Sequence, residues 1–394
     1  MLLASLDLLG LNAELARRIS AAIASKTGIP DRNVILCCTH THSGPLLSTY
    51  LDESTVNPAY LPRLQKALVK ASTEAVASAR PARIGWAEGM AHIGFNRRLC
   101  WADGTHTMFG ESSRPDFTGI EGPDDPRHVV LHAVDDKGQI LAIVHNNSCH
   151  PICGTGFSFA SADFPGEARD LIRKALDRKL PVLYLQGASG DTSPWNMTRK
   201  PSYYNAEQRL REMGATLAAE TLRLLNESGE PVANPVLRHA FEDLSVDIRL
   251  PTPEALKRAR AIVKAGEKKA GRWDYVLSRD GVLRLHQEFK DNPRETLAVH
   301  ALRIGRCAII TNPAELFCQF GIDMRRRSPA ATTMVAQLAD GGGSYCPTIP
   351  GVLGGGYSGE AIYWCRYEPY AGYKLVETSA RLLNHVFAEG NRIR

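Results

Sequence analysis

Val34-Ile35-Leu36-Cys37-Cys38 runs directly into Thr39-His40-Thr41-His42-Ser43-Gly44-Pro45, and this junction decides how the chain folds. An unbroken apolar run that ends on polar residues and Gly-Pro has the length of a strand buried on both faces. Upstream, Leu2–Leu11 reads as a strand and Ala13–Ala24 as a helix opened by Asn12, with apolar positions at Leu15, Ile19 and Ile23. Strand, helix and second buried strand make a βαβ unit. That unit predicts an α/β fold with a mixed, largely parallel sheet flanked by helices. Alternation along a strand puts His40 and His42 on one side, and two imidazoles there form half of a metal site. Local hydrogen bonds that cap a strand account for the same residues without a ligand.

Further helices are expected at Tyr60–Ala79, Gly166–Leu176, Ala206–Leu225, Pro313–Arg326 and Leu375–Phe387. Strands are expected at Arg83–Ala87, Val182–Leu185, Leu297–Thr311 and Thr332–Leu338. His128–Val134 and Ile140–His145 read as a hairpin across Asp135-Asp136-Lys137-Gly138. Residues 253–290, rich in lysine and arginine at helical spacing, predict a peripheral helical insertion in a single domain spanning 1–394. In open α/β sheets, ligands bind beyond the carboxyl ends of the strands. His40/His42, His150, Asp191–Ser193 and Glu315 each follow a predicted strand, which places the expected site at those ends.

The composition excludes several classes. With 394 residues, 44% hydrophobic, the chain can bury a large core, and 23% charged residues give no sign of disorder. A formal charge of +5 with no basic cluster among aromatics gives no nucleic-acid signal. No apolar run is long enough for a transmembrane helix. Nine cysteines with no Cys-x-x-Cys pair indicate neither a disulfide framework nor a zinc ribbon. Reduced thiols and the lack of a signal peptide point to a cytoplasmic protein, or a secreted or periplasmic one if an upstream segment carried an export signal. Ser161–Gly166 ends a loop in which Asp163 reads as a helix cap or a support to the site.

In order along the chain, Thr39–Pro45, Asn96-Arg97, His150-Pro151, Gly190-Asp191-Thr192-Ser193-Pro194, Asn312–Glu315 and Leu338–Asp340 through Tyr345–Thr348 resemble the neutral, alkaline, non-lysosomal ceramidases and their shorter bacterial relatives. The resemblance implies one catalytic Zn2+ held by His40, His150, Glu315 and Tyr345. It implies Ser193 as the catalytic serine, His42 and Arg97 near the reacting amide, and Tyr357 as a second tyrosine of the site. Asp191 would hold a ligand histidine or fix its loop. The family's N-terminal segment and C-terminal immunoglobulin-like domain have no counterpart here, so a catalytic domain alone is expected. Gly354-Gly355-Gly356 before Tyr357 implies a mobile rim over the site.

The expected function is a zinc-dependent hydrolase of an N-acyl amide, with a small-molecule or lipid substrate, ceramide-like or smaller. A zinc hydrolase of an ester, lactone or phosphoester and a non-catalytic binding relative are the alternatives. The sequence leaves the nucleophile, water or Ser193, and any homo-oligomer open.

Overall fold

The computed structural model describes residues 1–47, 59–199 and 205–388. Alternation within the central strands sets the layers. In strand Arg127–Val134, Val129 and Leu131 enter one core and Val130 another. In Cys307–Thr311, Cys307 and Ile309 join the first of these cores, while Ala308 and Ile310 face away from it. Strands apolar on both faces must be covered on both faces, and here two four-stranded sheets share the core between them. One sheet runs in the order Val182–Gln186, Ile140–Asn147, Arg127–Val134, Arg83–Met90. The other runs Leu237–Asp247, Arg294–Ile304, Cys307–Thr311, Thr332–Ala336. Helices Asp163–Ala175 and Ala206–Glu227 cover the outer face of the first sheet, setting Ile172, Ala218 and Leu224 against Val130 and Ile143. Cys318–Arg326 and Ala371–Phe387 cover the second, with Met324, Leu375 and Leu383 against Ala308 and Ile310.

The sheets are mostly antiparallel, which overturns the expectation of a largely parallel sheet. Each four-stranded sheet has two antiparallel pairings and one parallel one. The opening unit folds as its pattern predicts: Leu2–Leu6 pairs in parallel with Val34–Cys38. Asn12 Oδ1 caps the intervening helix Ala13–Thr27 by accepting from Leu15 N–H at 2.7 Å, and Gly28 ends it at φ 72°. This pair forms a sheet of its own, however, so its parallel sense does not propagate. Hairpins set the sense elsewhere. Leu297–Thr311 reads as one strand because Gly305 is its sole breaker. At φ 63° that glycine turns the chain, and Arg294–Ile304 pairs antiparallel with Cys307–Thr311.

Between Leu237–Asp247 and Arg294–Ile304 lie helices Pro253–Ala265, Glu267–Ala270 and Arg272–Val276, a π-helical turn Leu277–Leu283, and helix Arg284–Phe289. Leu285 of this segment is fully buried in the core beneath the second sheet, with Leu277 and Val282 packed against it. Among the described residues no helix is long and apolar enough to cross a membrane.

A buried polar network pins the two sheets together. Asn146 Nδ2 donates to Leu185 O in its own sheet (2.8 Å) and to Val335 O in the other (2.9 Å). Arg325 donates to Asn146 Oδ1 at 3.1 Å and to Thr333 O at 3.1 Å, and it pairs with the buried Asp125. Arg325→Met would remove the buried one of two arginines paired with Asp125, leaving Arg127 Nε at 3.2 Å, and losing one partner of a buried pair costs up to about 3–5 kcal/mol. Urea unfolding should show a correspondingly lower midpoint; an unchanged midpoint would mean that the pair does not hold the sheets.

Candidate metal centre

Segments that run on from the strand ends meet in one place. His40 lies two residues beyond Val34–Cys38 and takes φ 70°, a left-handed conformation that costs a non-glycine residue about 1 kcal/mol or more. Its backbone N–H donates to Leu8 O at 2.9 Å, and its Nδ1 lies 2.6 Å from Leu9 O. The pleat therefore does not aim His40 and His42 together, as strand alternation had suggested; a strained turn does. His150, three residues past Ile140–Asn147, has Nδ1 2.9 Å from Ser189 O.

A carbonyl oxygen only accepts, so Nδ1 carries the proton in both rings and each Nε2 presents a bare lone pair. Those two Nε2 atoms face each other at 3.0 Å, and His42 Nε2 lies 3.1 Å from that of His150. Glu315 Oε2 sits 3.2 Å from His40 Nε2 and, buried, has no hydrogen-bond donor. Lone pairs packed this closely repel unless a cation lies among them. Burial, then Arg97, holds the His150 pKa well below its ordinary value, which disfavours a second proton on that ring. His42 keeps an exposed edge. Even so, the protein around it, then His40 and Arg97, depresses its pKa too. Neutral imidazole nitrogens beside a carboxylate oxygen are a donor set that suits zinc, and the His40, His42 and His150 atoms lie close enough to share one ion.

Glu315 and Tyr345 are brought side by side by a short parallel pairing of Glu315–Leu316 with Tyr345–Cys346. Tyr357 meets Tyr345 edge to face, with centroids 5.6 Å apart. Burial, then the Glu315 carboxylate, pushes both phenols above their ordinary pKa. Buried Arg97 donates to Gly190 O at 2.8 Å and places Nη2 3.3 Å from Tyr345 Oη and 3.3 Å from His150 Nδ1. All the residues named as ligands, together with His42, Arg97 and Tyr357, thus come together.

Among the described residues, three others reach none of them by a side-chain hydrogen bond. Ser193 is buried, and its Oγ accepts from Trp195 N–H at 3.1 Å; among the described residues no base lies within hydrogen-bond reach of it. Asp191 fixes its loop and makes no contact with a histidine. Its Oδ1 accepts from Cys318 N–H at 2.6 Å, its Oδ2 from Asn96 Nδ2 at 2.8 Å, and its carbonyl from Arg97 N–H at 2.8 Å. Asp163 begins helix Asp163–Ala175 and holds Gly154 N–H at 2.8 Å and Phe164 N–H at 2.7 Å. Cys149 and Cys153 are buried, and burial raises both thiol pKa values, which disfavours the thiolate.

Sequence reasoning missed Arg98. Fully buried, it donates to Glu121 Oε2 (2.6 Å) and to the carbonyls of Tyr357 (2.7 Å), Gly355 (2.9 Å) and Gly351 (3.3 Å). It grips the loop that its glycines had marked as mobile. An arginine next to Arg97 in a polar stretch carries no signal of such a role.

Burial raises the Asp191 pKa to about 7. The folded state then keeps this proton at pH values where the unfolded state, with pKa about 3.9, has lost it. Stability from this group therefore falls as pH rises between those values. Asp191→Asn removes that slope. The change in melting temperature from pH 5 to pH 8, measured after chelation, should be more positive than in wild type by about 2 °C or more. Equal changes would refute the assignment.

No protein-family model matches the chain. It is 26% identical over 241 residues to the neutral ceramidase of Pseudomonas aeruginosa, a stretch covering 56% of this chain and 33% of that protein. The crystal structure of neutral ceramidase from Pseudomonas aeruginosa superposes with a TM-score of 0.73 at 19% identity. A structure described as ceramidase complexed with C2 gives 0.68 at 18% identity. In both, the match covers 97% of this chain and 66% of the solved one. The chain has the fold of neutral ceramidase, and the resemblance carried by its motifs is borne out.

Proposed function

We propose that this chain, read as one catalytic domain, is a zinc-dependent hydrolase that cleaves an N-acyl amide. One observation carries the reading: buried, unprotonated Nε2 atoms of His40 and His150 converge beside the orphaned carboxylate oxygen of Glu315. The similarity to a neutral ceramidase supports the amide as the bond. His40, His150, Glu315 and Tyr345 would hold the ion, and the close approach of His42 makes it a further donor or a contact to substrate. Bound zinc polarises a carbonyl and makes a bound water acidic enough to ionise near neutral pH.

The protein's own groups set up the rest. Leu9 O and Ser189 O fix the tautomers of His40 and His150 and turn their basic nitrogens inward. The Arg97 guanidinium, 3.3 Å from Tyr345 Oη, favours negative charge on that phenol and on an oxyanion formed from the amide. Exposed His42 is placed to move a proton to the leaving amine. Ser193 is retained as a candidate nucleophile on the motif alone.

Wild-type protein purified without added metal should contain about one zinc per chain, and His150→Ala should lose it. Loaded wild type should hydrolyse N-acyl amides, with chelation lowering both activity and melting temperature. Absence of zinc even after reconstitution would end this reading. Ser193→Ala then tests the nucleophile: retained activity assigns it to water, and a drop of about 1,000-fold or more assigns it to the serine.

A further inference from the structure

Tyr357 is set against Tyr345 by a stretch of chain that is poorly suited to hold itself in place. Residues 351–359 include Gly351, Gly354, Gly355, Gly356 and Gly359, and glycine loses more backbone freedom on ordering than any other residue. Gly355, Gly356 and Ser358 take φ of 67°, 70° and 66°, and for the serine that left-handed conformation is strained.

Three of these glycines serve close approach. A Cβ on Gly354 would run into the ring of His106, and one on Gly356 into the His106 carbonyl. A Cβ on Gly351 would stand 2.8 Å from Glu121 Oε1. The segment therefore lies flush on strand His106–Met108 and on Glu121. Arg98 reaches across this seat. Its Nε donates to Glu121 Oε2 at 2.6 Å, its Nη1 to Tyr357 O at 2.7 Å and Ser358 Oγ at 3.2 Å, and its Nη2 to Gly355 O at 2.9 Å and Gly351 O at 3.3 Å. Glu121 is held in turn: its N–H donates to Arg98 O at 3.0 Å, and His106 Nδ1 lies 2.6 Å from its Oε2. A planar fork of five N–H donors can serve so many acceptors at once, and an ammonium cannot.

We infer that Arg98, backed by Glu121 and His106, is a positioning residue that latches Tyr357 against Tyr345 at the metal centre. Two successive arginines then fix the tyrosine pair from two sides, Arg97 at the Tyr345 hydroxyl and Arg98 at the Tyr357 backbone. The consequence for catalysis rests on the amide-hydrolase reading of the site. With the latch open, Tyr357 leaves Tyr345, and the lost orientation lowers kcat more than it raises KM.

Arg98→Lys keeps a charge opposite Glu121 without the fork, and Gly354→Ala unseats the segment from the other side. Either variant that keeps the native circular dichroism and zinc content carries the test. The Gly359 and Glu360 amides, both bonded to Gly356 O at 2.9 Å, should exchange hydrogen about tenfold or more faster than in wild type, with helix Asp163–Ala175 unchanged. In turnover of N-acyl amides, each variant should lower kcat about tenfold with KM within about twofold of wild type. Added to Tyr357→Phe, each should lower kcat by less than about twofold further, because it acts through the same residue. Unchanged exchange, or kcat losses that multiply with that of Tyr357→Phe, would overturn the inference. If wild type turns over no amide, the hydrolase reading falls and exchange alone decides the latch. Turnover in wild type with exchange unchanged in the variants keeps the hydrolase and removes the latch.

Discussion

The structure is organised by two protons, each held in place by one backbone carbonyl. Leu9 O and Ser189 O each claim an Nδ1–H, from His40 and His150, and neither ring can then offer a proton at Nε2. The two nitrogens are nevertheless 3.0 Å apart, with Glu315 Oε2 at 3.2 Å from one of them. The left-handed backbone of His40 adds strain to electrostatic repulsion. A fold keeps such a cluster only if the surrounding structure over-determines it. Here the His40 N–H bond to Leu8 O and the pairing of Glu315 with Tyr345 do so. A cation among these atoms would relieve the repulsion and account for the tolerance of the arrangement.

The fold delivers these residues through its minority of parallel pairings. Ile140–Asn147 lies parallel to Val182–Gln186, and Cys307–Thr311 to Thr332–Ala336. Parallel neighbours end at the same edge, so His150, the 187–193 loop, Glu315 and the segment leading to Tyr345 emerge together. A buried polar seam joins the two sheets at that edge. Gln337 N–H donates to Gln186 O at 2.9 Å, and Gln337 Oε1 accepts from Leu316 N–H at 3.0 Å. Gln337 Nε2 and Gln186 Nε2 both reach Ser189 Oγ, at 3.1 and 2.8 Å. Ser189 in turn orients His150, which ties sheet-to-sheet register directly to the ring tautomer.

What could be read from the sequence follows from the range of each interaction. Asn12 and the apolar spacing that follows it act within a few residues, so the first helix and its strands were legible. The chemistry-bearing types were legible as motifs because histidine, glutamate and tyrosine limit what a site can do. Sheet sense was not, because it depends on which strands meet across long intervals, and one glycine at 305 decided a hairpin. The Glu315–Tyr345 pairing and the tautomers set by Leu9 and Ser189 are likewise long-range. Arg98 shows the same limit from the other side. Its five acceptors come from Glu121 and from residues 351–358, and nothing local distinguishes it from a solvated charge.

Arg97 poses the sharpest electrostatic question. A guanidinium beside this site would repel a cation bound there, since two like unit charges about 5 Å apart cost about 3 kcal/mol at an effective dielectric near 20. Glu315 offsets part of this, and Tyr345 offsets more once ionised, a change Arg97 itself favours from 3.3 Å. The imidazoles contribute no charge. With the carboxylate and one phenolate balancing a divalent ion, the arginine remains as surplus positive charge in a buried site. Such a surplus is costly in the resting protein and favourable when an anion forms beside it. On the amide-hydrolase reading that anion is the oxygen of the tetrahedral intermediate, and the cost of burying Arg97 becomes a preference for the transition state over the ground state.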